Sequence, residues 1–285
     1  MRQIAQIAVA GLALLTMINP DTQAQGASVK IEGPNCELNA VYYKPAQLEE
    51  GKKCPMIILC HGFGGNKEDA LIRLLAAKLE TRGIATLSFD FAGSGSSTSR
   101  RFEFKDMTLR TEMKDLQAVI DYAEDLPFVS SIGVAGHSMG GAVSLMTAAD
   151  EGKRKVKALA LMSPAVTIHA DALRGFMLGS QFDPKDPPRT LSIGSLTIGR
   201  GLIESAQKTN MAKMAAEYKG KTLIVFGTAD MVTLYTDGEY LDEIMNDSEL
   251  KLYKDLDHGL SNTNDPQGQE KALNDIADFF VKALK

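Results

Sequence analysis

The sequence predicts an α/β fold, in which a mostly parallel central sheet carries helices on both faces. Two observations support this fold class. Short continuous apolar runs, such as PMIILC (55–60) and KTLIVFG (221–227), are typical of strands that are buried on both faces. Segments with the apolar spacing of amphipathic helices separate these runs, and this alternation indicates parallel strands that are joined by helices.

The predicted elements follow from the same patterns in chain order. Residues 27–44 alternate apolar and polar side chains, as two antiparallel strands do. Buried runs and helical segments then take turns: strands at 55–60, 84–89, 131–136 and 156–162, and helices at about 67–82, 108–126 and 139–149. The C-terminal part adds strands at 221–227 and 249–254 and a final helix at about 267–284.

The stretch 164–205 departs from this pattern. Its apolar spacing is irregular, and it contains four prolines. It lies between two sheet strands, where an insertion at the carboxyl ends of parallel strands forms a lid or a substrate pocket. An ordinary disordered loop is the alternative, but the large apolar side chains of Phe176 and Phe182 oppose it, because disordered segments contain few such groups.

The first 24 residues have the layout of a secretory signal peptide. An arginine precedes a short apolar core, and Thr22 and Ala24 form a small-residue cleavage pattern. We expect residues 1–24 to be removed, the protein to be exported to a periplasm or out of the cell, and residues 25–285 to form one domain. The apolar core is short for a transmembrane helix, so no stable membrane insertion is expected after cleavage. An uncleaved anchor or a buried helix is the alternative.

Composition excludes several kinds of protein. The formal net charge of −5 and the lack of a long basic run oppose nucleic-acid binding. Cys36, Cys54 and Cys60 do not have metal-ligand spacing, so no metal site is predicted. Export would permit a disulfide between Cys36 and Cys54, and the odd count leaves at least one thiol free unless pairing is intermolecular. The oligomeric state stays open, a homodimer included.

The stretch VAGHSMGGAV (134–143) contains a Gly-x-Ser-x-Gly pattern around Ser138. The pattern falls between a predicted buried strand and a predicted helix, which is the context of a nucleophile elbow. A serine hydroxyl is a poor nucleophile until a base removes its proton. The N-terminus of the following helix would favour the negative charge that then develops. The alternative is that Ser138 is only a turn residue, so the hypothesis needs a base and an acid.

Four histidines are available as the base. His137 is adjacent to Ser138 and cannot point the same way, whereas His61 more simply orders the loop after an early strand. His169 lies in the insertion, as a surface or pocket residue. His258 lies in a loop between the last strand and the final helix, from which it can reach over the sheet edge. The chain order Ser…Asp…His therefore predicts His258 as the base, with a surface loop histidine as the alternative.

The acid that orients the histidine is predicted to be Asp230. It closely follows the strand at 221–227, so its carboxylate projects at the sheet edge where Ser138 lies. Other acidic residues on the same part of the chain stay open as alternatives: Asp237, Asp242, Asp255 and Asp257.

An oxyanion formed at Ser138 needs two backbone N–H donors. One is expected from Met139, the residue after the nucleophile. The other is expected from Phe63 in HGFGGNKED (61–69), because the glycines of this loop let the backbone approach closely. The alternative is a plain strand-to-helix turn, with both side chains lining the pocket floor.

Taken in chain order, the motifs HGFGGNK, GHSMGG, GTAD and DHG resemble those of the α/β-hydrolase superfamily. Within it, FDFAGSGSS (89–97) and the SPA…DALRG…FDP insertion are similar to the feruloyl/cinnamoyl esterase group, over essentially the whole mature chain. The resemblance implies an α/β-hydrolase fold with a small lid insertion. It also implies a serine esterase that cleaves hydroxycinnamate esters, such as those of plant polysaccharides, without a cofactor. It assigns catalytic roles to Ser138, Asp230 and His258 and oxyanion roles to Phe63 and Met139.

The resemblance also matches Asp171, in ADALRG, to a position where an acidic residue would bind a phenolic hydroxyl. A helix N-cap or a solvated carboxylate is the alternative for this residue. Two departures concern the acyl preference: Ser94 stands where relatives often carry a bulkier residue, commonly histidine, and the chain has no tryptophan. The rival hypotheses are an acetyl or short-chain esterase, a serine peptidase of the same fold, and a catalytically inactive binding protein.

Overall fold

The structure, a computed structural model, describes residues 26–151 and 155–284. The predicted leader at 1–24 lies outside the described residues. Over the described ranges, a central sheet lies between two layers of helices, as the sequence predicted. No helix within these ranges is long and apolar enough to cross a membrane.

The strands and their pairing confirm the predicted fold class. In chain order, the strands are β1 (Gly26–Glu32), β2 (Glu37–Tyr43), β3 (Cys54–Cys60), β4 (Ala85–Phe89), β5 (Val129–His137), β6 (Val156–Met162), β7 (Phe176–Met177), β8 (Ser180–Gln181), β9 (Thr190–Ile193), β10 (Leu196–Gly199), β11 (Lys221–Gly227) and β12 (Ser248–Tyr253). The central sheet has the order β1-β2-β4-β3-β5-β6-β11-β12. β2 pairs antiparallel with β1 and β4, and the remaining neighbours are parallel. The loops that follow the parallel strands therefore meet at one edge of the sheet.

Helices cover both faces of this sheet. They are α1 (Ala70–Glu80), α2 (Leu109–Glu124), α3 (Met139–Glu151), α4 (Ile168–Leu173), α5 (Arg200–Lys208), α6 (Met211–Glu217), α7 (Tyr235–Ile244) and α8 (Pro266–Ala283). Along β3, Ile57 and Leu59 belong to the core that contains α1 and α8, whereas Met56 and Ile58 belong to the core that contains α2 and α3. All four side chains are fully buried. A central parallel strand has no solvent face, which explains its unbroken apolar sequence.

The stretch 164–205 is more regular than the sequence predicted. After β6 it forms α4, the hairpin β7–β8, the hairpin β9–β10 and the first residues of α5. The sequence contained no sign of these hairpins because their strands have only two to four residues, too few to show an alternating pattern. Gly179 and Gly194 occupy the hairpin turns with φ values of +88° and +58°, which glycine adopts without strain.

The three cysteines are unpaired thiols in the structure. Cys54 and Cys60 are buried at opposite ends of β3, and the Cys36 Sγ lies 3.4 Å from the backbone carbonyl oxygen of Ser97. The disulfide that export would have permitted between Cys36 and Cys54 is therefore not formed here. In the described part of the chain, no group of three His, Cys, Asp or Glu side chains is arranged to hold a metal ion.

Two acidic side chains of α2 lie inside the core. Glu112 and Asp115 are 5% and 1% exposed. Asp115 Oδ2 accepts the Ala92 N–H at 2.9 Å, while Glu112 Oε2 and Asp115 Oδ1 have no hydrogen-bond partner. Burial, and after it the charge of Asp115, raises the pKa of Glu112 to about 8. Burial raises the pKa of Asp115 to about 6. Both carboxyl groups therefore hold their protons more tightly in the folded protein than in the unfolded chain.

We expect the Glu112 carboxyl group to make the protein less stable as the pH rises from 4.5 to about 8. A carboxyl group with a raised folded pKa contributes its full stability below the unfolded pKa and loses it as the pH rises through the folded pKa. The loss is on the order of a few kcal/mol, and the Glu112→Gln variant, which cannot ionise, should lack it. Urea unfolding at several pH values measures the difference between the two proteins.

The exposed Glu49 provides the control for this experiment. Glu49→Gln should keep the pH dependence of the wild-type free energy of unfolding. If Glu112→Gln loses stability as steeply as the wild type, Glu112 is not the group that titrates.

Candidate active site

Ser138 lies at a sharp turn between β5 and α3. Its φ is +54°, a left-handed conformation that non-glycine residues adopt rarely and mainly at functional turns. The two glycines of the pattern permit this turn because they have no side chain. A Cβ on Gly136 would overlap the carbonyl oxygen of Gly140, and a Cβ on Gly140 would overlap that of His61. The turn thereby holds Ser138 at the carboxyl edge of the sheet, as the sequence predicted.

His258 lies beside the serine, on the loop between β12 and α8. Its Nε2 is 3.0 Å from Ser138 Oγ, within reach for transfer of the hydroxyl proton. Asp257 shapes the loop by accepting two of its backbone N–H groups, each at 2.9 Å. Leu256 and Leu260 are fully buried on either side of the histidine and anchor the loop in the core.

Asp230 follows β11 and completes a hydrogen-bonded row with His258 and Ser138. Its Oδ2 is 2.8 Å from His258 Nδ1. The carboxylate also accepts the N–H groups of Val232 and Thr233, at 2.8 and 3.0 Å, and the Thr233 hydroxyl at 2.9 Å. Because a carboxylate only accepts, the proton of neutral His258 lies on Nδ1. Its Nε2 is then free to accept from the Ser138 hydroxyl.

The Asp230 carboxylate is charged although its side chain is 0% exposed. Burial on its own raises the pKa of Asp230. The hydrogen bonds from His258, Thr233 and Val232 outweigh burial and hold this pKa well below its ordinary value. An ionised carboxylate therefore faces His258 at neutral pH, where it can stabilise a protonated His258 ring.

The other acids that the sequence left open lie elsewhere. Asp237 accepts a backbone N–H at the start of α7, at 3.3 Å, and Asp242 lies further along that helix. Asp255 is exposed, with a φ of +57°, and Asp257 is engaged within its own loop. Among the acids that the structure describes, Asp230 alone is hydrogen-bonded to the His258 ring.

The other three histidines have backbone partners. His61 is buried, with a carbonyl 2.8 Å from Nδ1 and an N–H 3.3 Å from Nε2, so it orders its loop. His169 Nδ1 lies 2.8 Å from a carbonyl oxygen of α5, which joins this helix to α4. His137 turns away from the serine, and its Nε2 lies 2.8 Å from the His258 carbonyl oxygen. Of the four histidines, His258 is the one whose ring nitrogen reaches Ser138 Oγ.

Two backbone amides beside Ser138 lack a partner. Neither the Phe63 nor the Met139 N–H group donates a hydrogen bond within the described residues. Met139 is the first residue of α3, where N–H groups have no intrahelical acceptor. The loop of Phe63 passes close to the serine, since a Cβ on Gly62 would lie 3.2 Å from Ser138 Cβ. This placement fits the predicted donor pair, and the oxyanion role of the two amides stays a prediction.

A buried ion pair behind the Phe63 loop was missed by the sequence interpretation. Asp90, which follows β4, accepts the Lys67 N–H at 2.7 Å and the Lys67 Nζ at 3.0 Å. It also accepts the N–H and hydroxyl groups of Ser96, at 2.8 and 2.7 Å. Burial alone raises the pKa of Asp90, but these hydrogen bonds hold it below its ordinary value. The pair ties the Phe63 loop to the loop after β4. No spacing rule links positions so far apart, so the sequence carried no signal for it.

The insertion (164–205) packs over the Phe63 loop. Leu196 begins β10 at the tip of its hairpin, and a Cβ on Gly64 would lie 2.5 Å from Leu196 Cδ1. The Phe63 ring packs edge-to-face against Phe104, with 5.2 Å between the ring centroids. Leu196 of the insertion and Phe104 therefore pack against the loop whose Gly62 lies close to the serine.

Asp171 lies in α4, partly buried, and its carboxylate has no hydrogen-bond partner within the described residues. Thr167 is the N-cap of α4, so the alternative that Asp171 caps a helix is wrong. A cavity of about 200 Å³ lies between α4 and α7, and Asp237 forms part of its wall. Burial, and then the charges of Asp171 and Asp230, raise the pKa of Asp237. Asp171 thus lies near enough to this cavity for its negative charge to act on Asp237.

Known proteins match this chain in both sequence and fold. The family model described as "Serine aminopeptidase, S33" matches residues 51–183. A solved structure of Est1E from Butyrivibrio proteoclasticus, with ferulic acid bound, is similar with a TM-score of 0.84 and 30% sequence identity. That match covers 90% of this chain and 99% of the Est1E chain.

Curated sequences match over shorter stretches. The chain is 32% identical over 132 residues to the uncharacterised protein YcjY of Escherichia coli, and the match covers 46% of this chain and 42% of YcjY. The chain thus spans less than half the length of that relative. It is 26% identical over 234 residues to Lipase 1 of Psychrobacter immobilis, with 71% of this chain and 70% of the lipase covered.

Proposed function

We propose that this chain, which belongs to the α/β-hydrolase esterases, is a serine carboxylesterase. Its catalytic residues in this proposal are Ser138, His258 and Asp230. One observation carries this proposal. Ser138 Oγ, the His258 ring and the Asp230 carboxylate form a hydrogen-bonded row with distances of 3.0 and 2.8 Å. A serine that is aligned with a base and an ionised acid has the arrangement that activates a hydroxyl group for acyl transfer.

The proposed reaction has two acyl-transfer steps. In the first, His258 Nε2 takes the Ser138 proton while Oγ attacks the ester carbonyl carbon, and the Phe63 and Met139 N–H groups stabilise the oxyanion. His258 then gives the proton to the leaving alcohol, and the acyl group stays on Ser138. In the second step, His258 takes a proton from a water molecule that attacks the acyl-enzyme. The acid leaves and Ser138 recovers its proton.

For the acyl group we propose hydroxycinnamates of the feruloyl type. The Est1E structure, which this chain matches over nearly its full length, contains ferulic acid. Phe63, Phe104 and Leu196 supply apolar surface on the loop that passes Ser138, and a planar aromatic acid can pack on such a surface. Asp171 supplies an unpaired acceptor for a phenolic hydroxyl. Esters that join such acids to plant polysaccharides are the natural substrates we propose.

The first test compares methyl ferulate with p-nitrophenyl acetate. The purified protein should hydrolyse methyl ferulate with the higher kcat/KM. Activity on the short ester alone would leave the serine esterase proposal in place and refute the feruloyl assignment. A fluorophosphonate probe should label the wild-type protein at Ser138, and a protein that neither labels nor hydrolyses any ester is an inactive scaffold.

Asp171→Ala should raise KM for methyl ferulate by about tenfold, because the phenolic hydroxyl loses its acceptor. The same variant should leave KM for methyl cinnamate unchanged, since this ester has no phenolic hydroxyl. Asp183→Ala, which removes an exposed carboxylate of the insertion, is the control and should affect neither substrate. Equal changes for both esters would assign Asp171 a structural role only.

A serine peptidase is the second candidate, because the matching family model is described as an aminopeptidase. The same row of side chains would attack a peptide carbonyl, with an amine as the leaving group. Aminoacyl 4-nitroanilides test this candidate beside methyl ferulate. A higher kcat/KM on the anilides would replace the esterase proposal.

We further propose that the protein is exported after removal of residues 1–24. The support is the charged start, apolar core and small-residue cleavage pattern of this segment. The intact mass of protein recovered from a periplasmic fraction or from the medium tests it. A mass that begins at Gln25 is expected, and a full-length chain that stays with the cell membrane would contradict the proposal.

A further inference from the structure

His137 lies between the loops that carry the other parts of the site. It is the last residue of β5 and directly precedes Ser138, so the sharp turn at the serine sends the two side chains in different directions. The proposed reaction assigns no role to this histidine. Its ring nevertheless bonds to the His258 loop on one side and lies close to the Phe63 loop on the other.

On the first side, His137 Nε2 lies 2.8 Å from the backbone carbonyl oxygen of His258. A carbonyl oxygen only accepts, so His137 donates from Nε2 and its neutral form carries the proton there. The two imidazole rings also pack against each other, with 4.8 Å between their centroids and 49° between their planes. His137 therefore holds both the backbone and the ring of His258.

This hydrogen bond has no substitute at the His258 backbone. Within the described residues, the His258 N–H has no acceptor, and its carbonyl oxygen accepts from His137 alone. The loop has anchors on either side, in the fully buried Leu256 and Leu260, but neither of them acts on the carbonyl group of the histidine itself. The peptide between His258 and Gly259 is thus held at its carbonyl end by His137 and at its N–H end by Asp257 Oδ1, at 2.9 Å.

On the second side, His137 lies against the loop that supplies the proposed oxyanion donor. A Cβ on Gly62 would be 3.2 Å from His137 Nδ1 and equally close to Ser138 Cβ. Gly62 directly precedes Phe63, so the histidine ring lies close to the backbone that supplies the proposed oxyanion donor. One side chain is therefore hydrogen-bonded to the loop of the proposed base and close to the loop of the proposed oxyanion donor.

We propose that His137 is a positioning residue, which holds His258 in line with Ser138 and keeps the Phe63 loop at its distance from the serine. The inference rests on the proposed function, since it assigns His137 to the same reaction. Burial, and after it the positive charge that His258 acquires, lower the pKa of His137 to about 4. His137 accordingly stays neutral at working pH and does not repel the imidazolium of His258.

The test uses substitutions that keep or remove the donor at the Nε2 position. A glutamine amide nitrogen reaches roughly the place of Nε2, whereas a phenylalanine ring keeps the bulk and lacks the donor. We expect His137→Phe to lower kcat by about 10- to 100-fold with KM within about twofold, because misplacing a catalytic group by about 1 Å costs up to 100-fold. His137→Gln should recover most of this loss. The rate of fluorophosphonate labelling should follow kcat.

Asn262→Leu is the matched control. Asn262 donates from Nδ2 to the Asp255 carbonyl oxygen at 2.9 Å. This hydrogen bond lies in the same loop between β12 and α8, but it does not involve His258. This variant should keep the wild-type kcat even if its Tm falls. A purely structural role of His137 would change Tm without the difference between glutamine and phenylalanine in kcat.

Each outcome decides the inference. Wild-type kcat in His137→Phe would overturn it, and so would an equal loss of kcat in His137→Gln and His137→Phe. If His137→Phe does not fold, His137→Asn takes its place, because the shorter amide cannot reach the His258 carbonyl oxygen. An inactive, unlabelled wild-type protein would instead refute the proposed function, so the two failures are distinguishable.

Discussion

Replacing Ser138 with alanine is expected to lower kcat for ester hydrolysis by about 10⁴- to 10⁶-fold, while the protein stays folded. The reason is that Ser138 Oγ is the atom that bonds to the acyl group, and no other hydroxyl group is hydrogen-bonded to His258 Nε2 within the described residues. A stopped or continuous assay of hydrolysis of the preferred ester measures the fall in kcat. Fluorophosphonate labelling should disappear in the same variant.

The folded state of this variant is checked by its thermal unfolding. Alanine tolerates the φ of +54° about as well as serine does, and one hydrogen bond is lost, so Tm should lie within about 4 °C of the wild type. Ser144→Ala is the control, since Ser144 is a buried serine of α3 whose hydroxyl bonds to the Gly140 carbonyl oxygen. It should keep its activity. Wild-type turnover in Ser138→Ala would show that Ser138 is not the nucleophile.

Asp230→Asn is expected to lower kcat by about 10³- to 10⁴-fold with little change in KM. Oδ2 of Asp230 accepts a hydrogen bond from the His258 Nδ1–H at 2.8 Å. An NH₂ group at this position cannot accept that hydrogen bond. The neutral ring then favours the tautomer with its proton on Nε2, which cannot accept from Ser138. The charge that stabilises the imidazolium is lost as well. Steady-state kinetics on the same ester measure both parameters.

Asp255→Asn is the control for this substitution. Asp255 is one of the acids that the sequence left open, and it is exposed with a φ of +57°, a conformation that asparagine also adopts readily. It should keep wild-type kcat. Equal losses in Asp255→Asn and Asp230→Asn, or none in Asp230→Asn, would contradict the assignment of the acid.

Much of the central fold was predictable from the sequence, for a physical reason. A strand that is buried on both faces must be continuously apolar, so the predicted strand at 221–227 coincides with β11, and that at 55–60 lies within β3. The elbow at Ser138 was predictable because its glycines and its flanking elements are local features of the chain. The short hairpins of the insertion were missed because they are too short to carry a periodic pattern.

The residues of the candidate site show which features the sequence predicts and which contacts it does not. By itself the sequence determined the order of the strands of the central sheet, the serine turn and a small set of acids and histidines, because these depend on neighbours along the chain. The tertiary structure alone decided that Asp230, and none of the other four acids that the sequence left open, meets His258, and that His258 lies 3.0 Å from a serine 120 positions away. It also revealed the hydrogen bond from Thr233 to Asp230, the ion pair between Lys67 and Asp90, and the position of His137 between the His258 loop and the Phe63 loop. Contacts of this kind join residues that are distant in the chain, and only the packed sheet brings their side chains together.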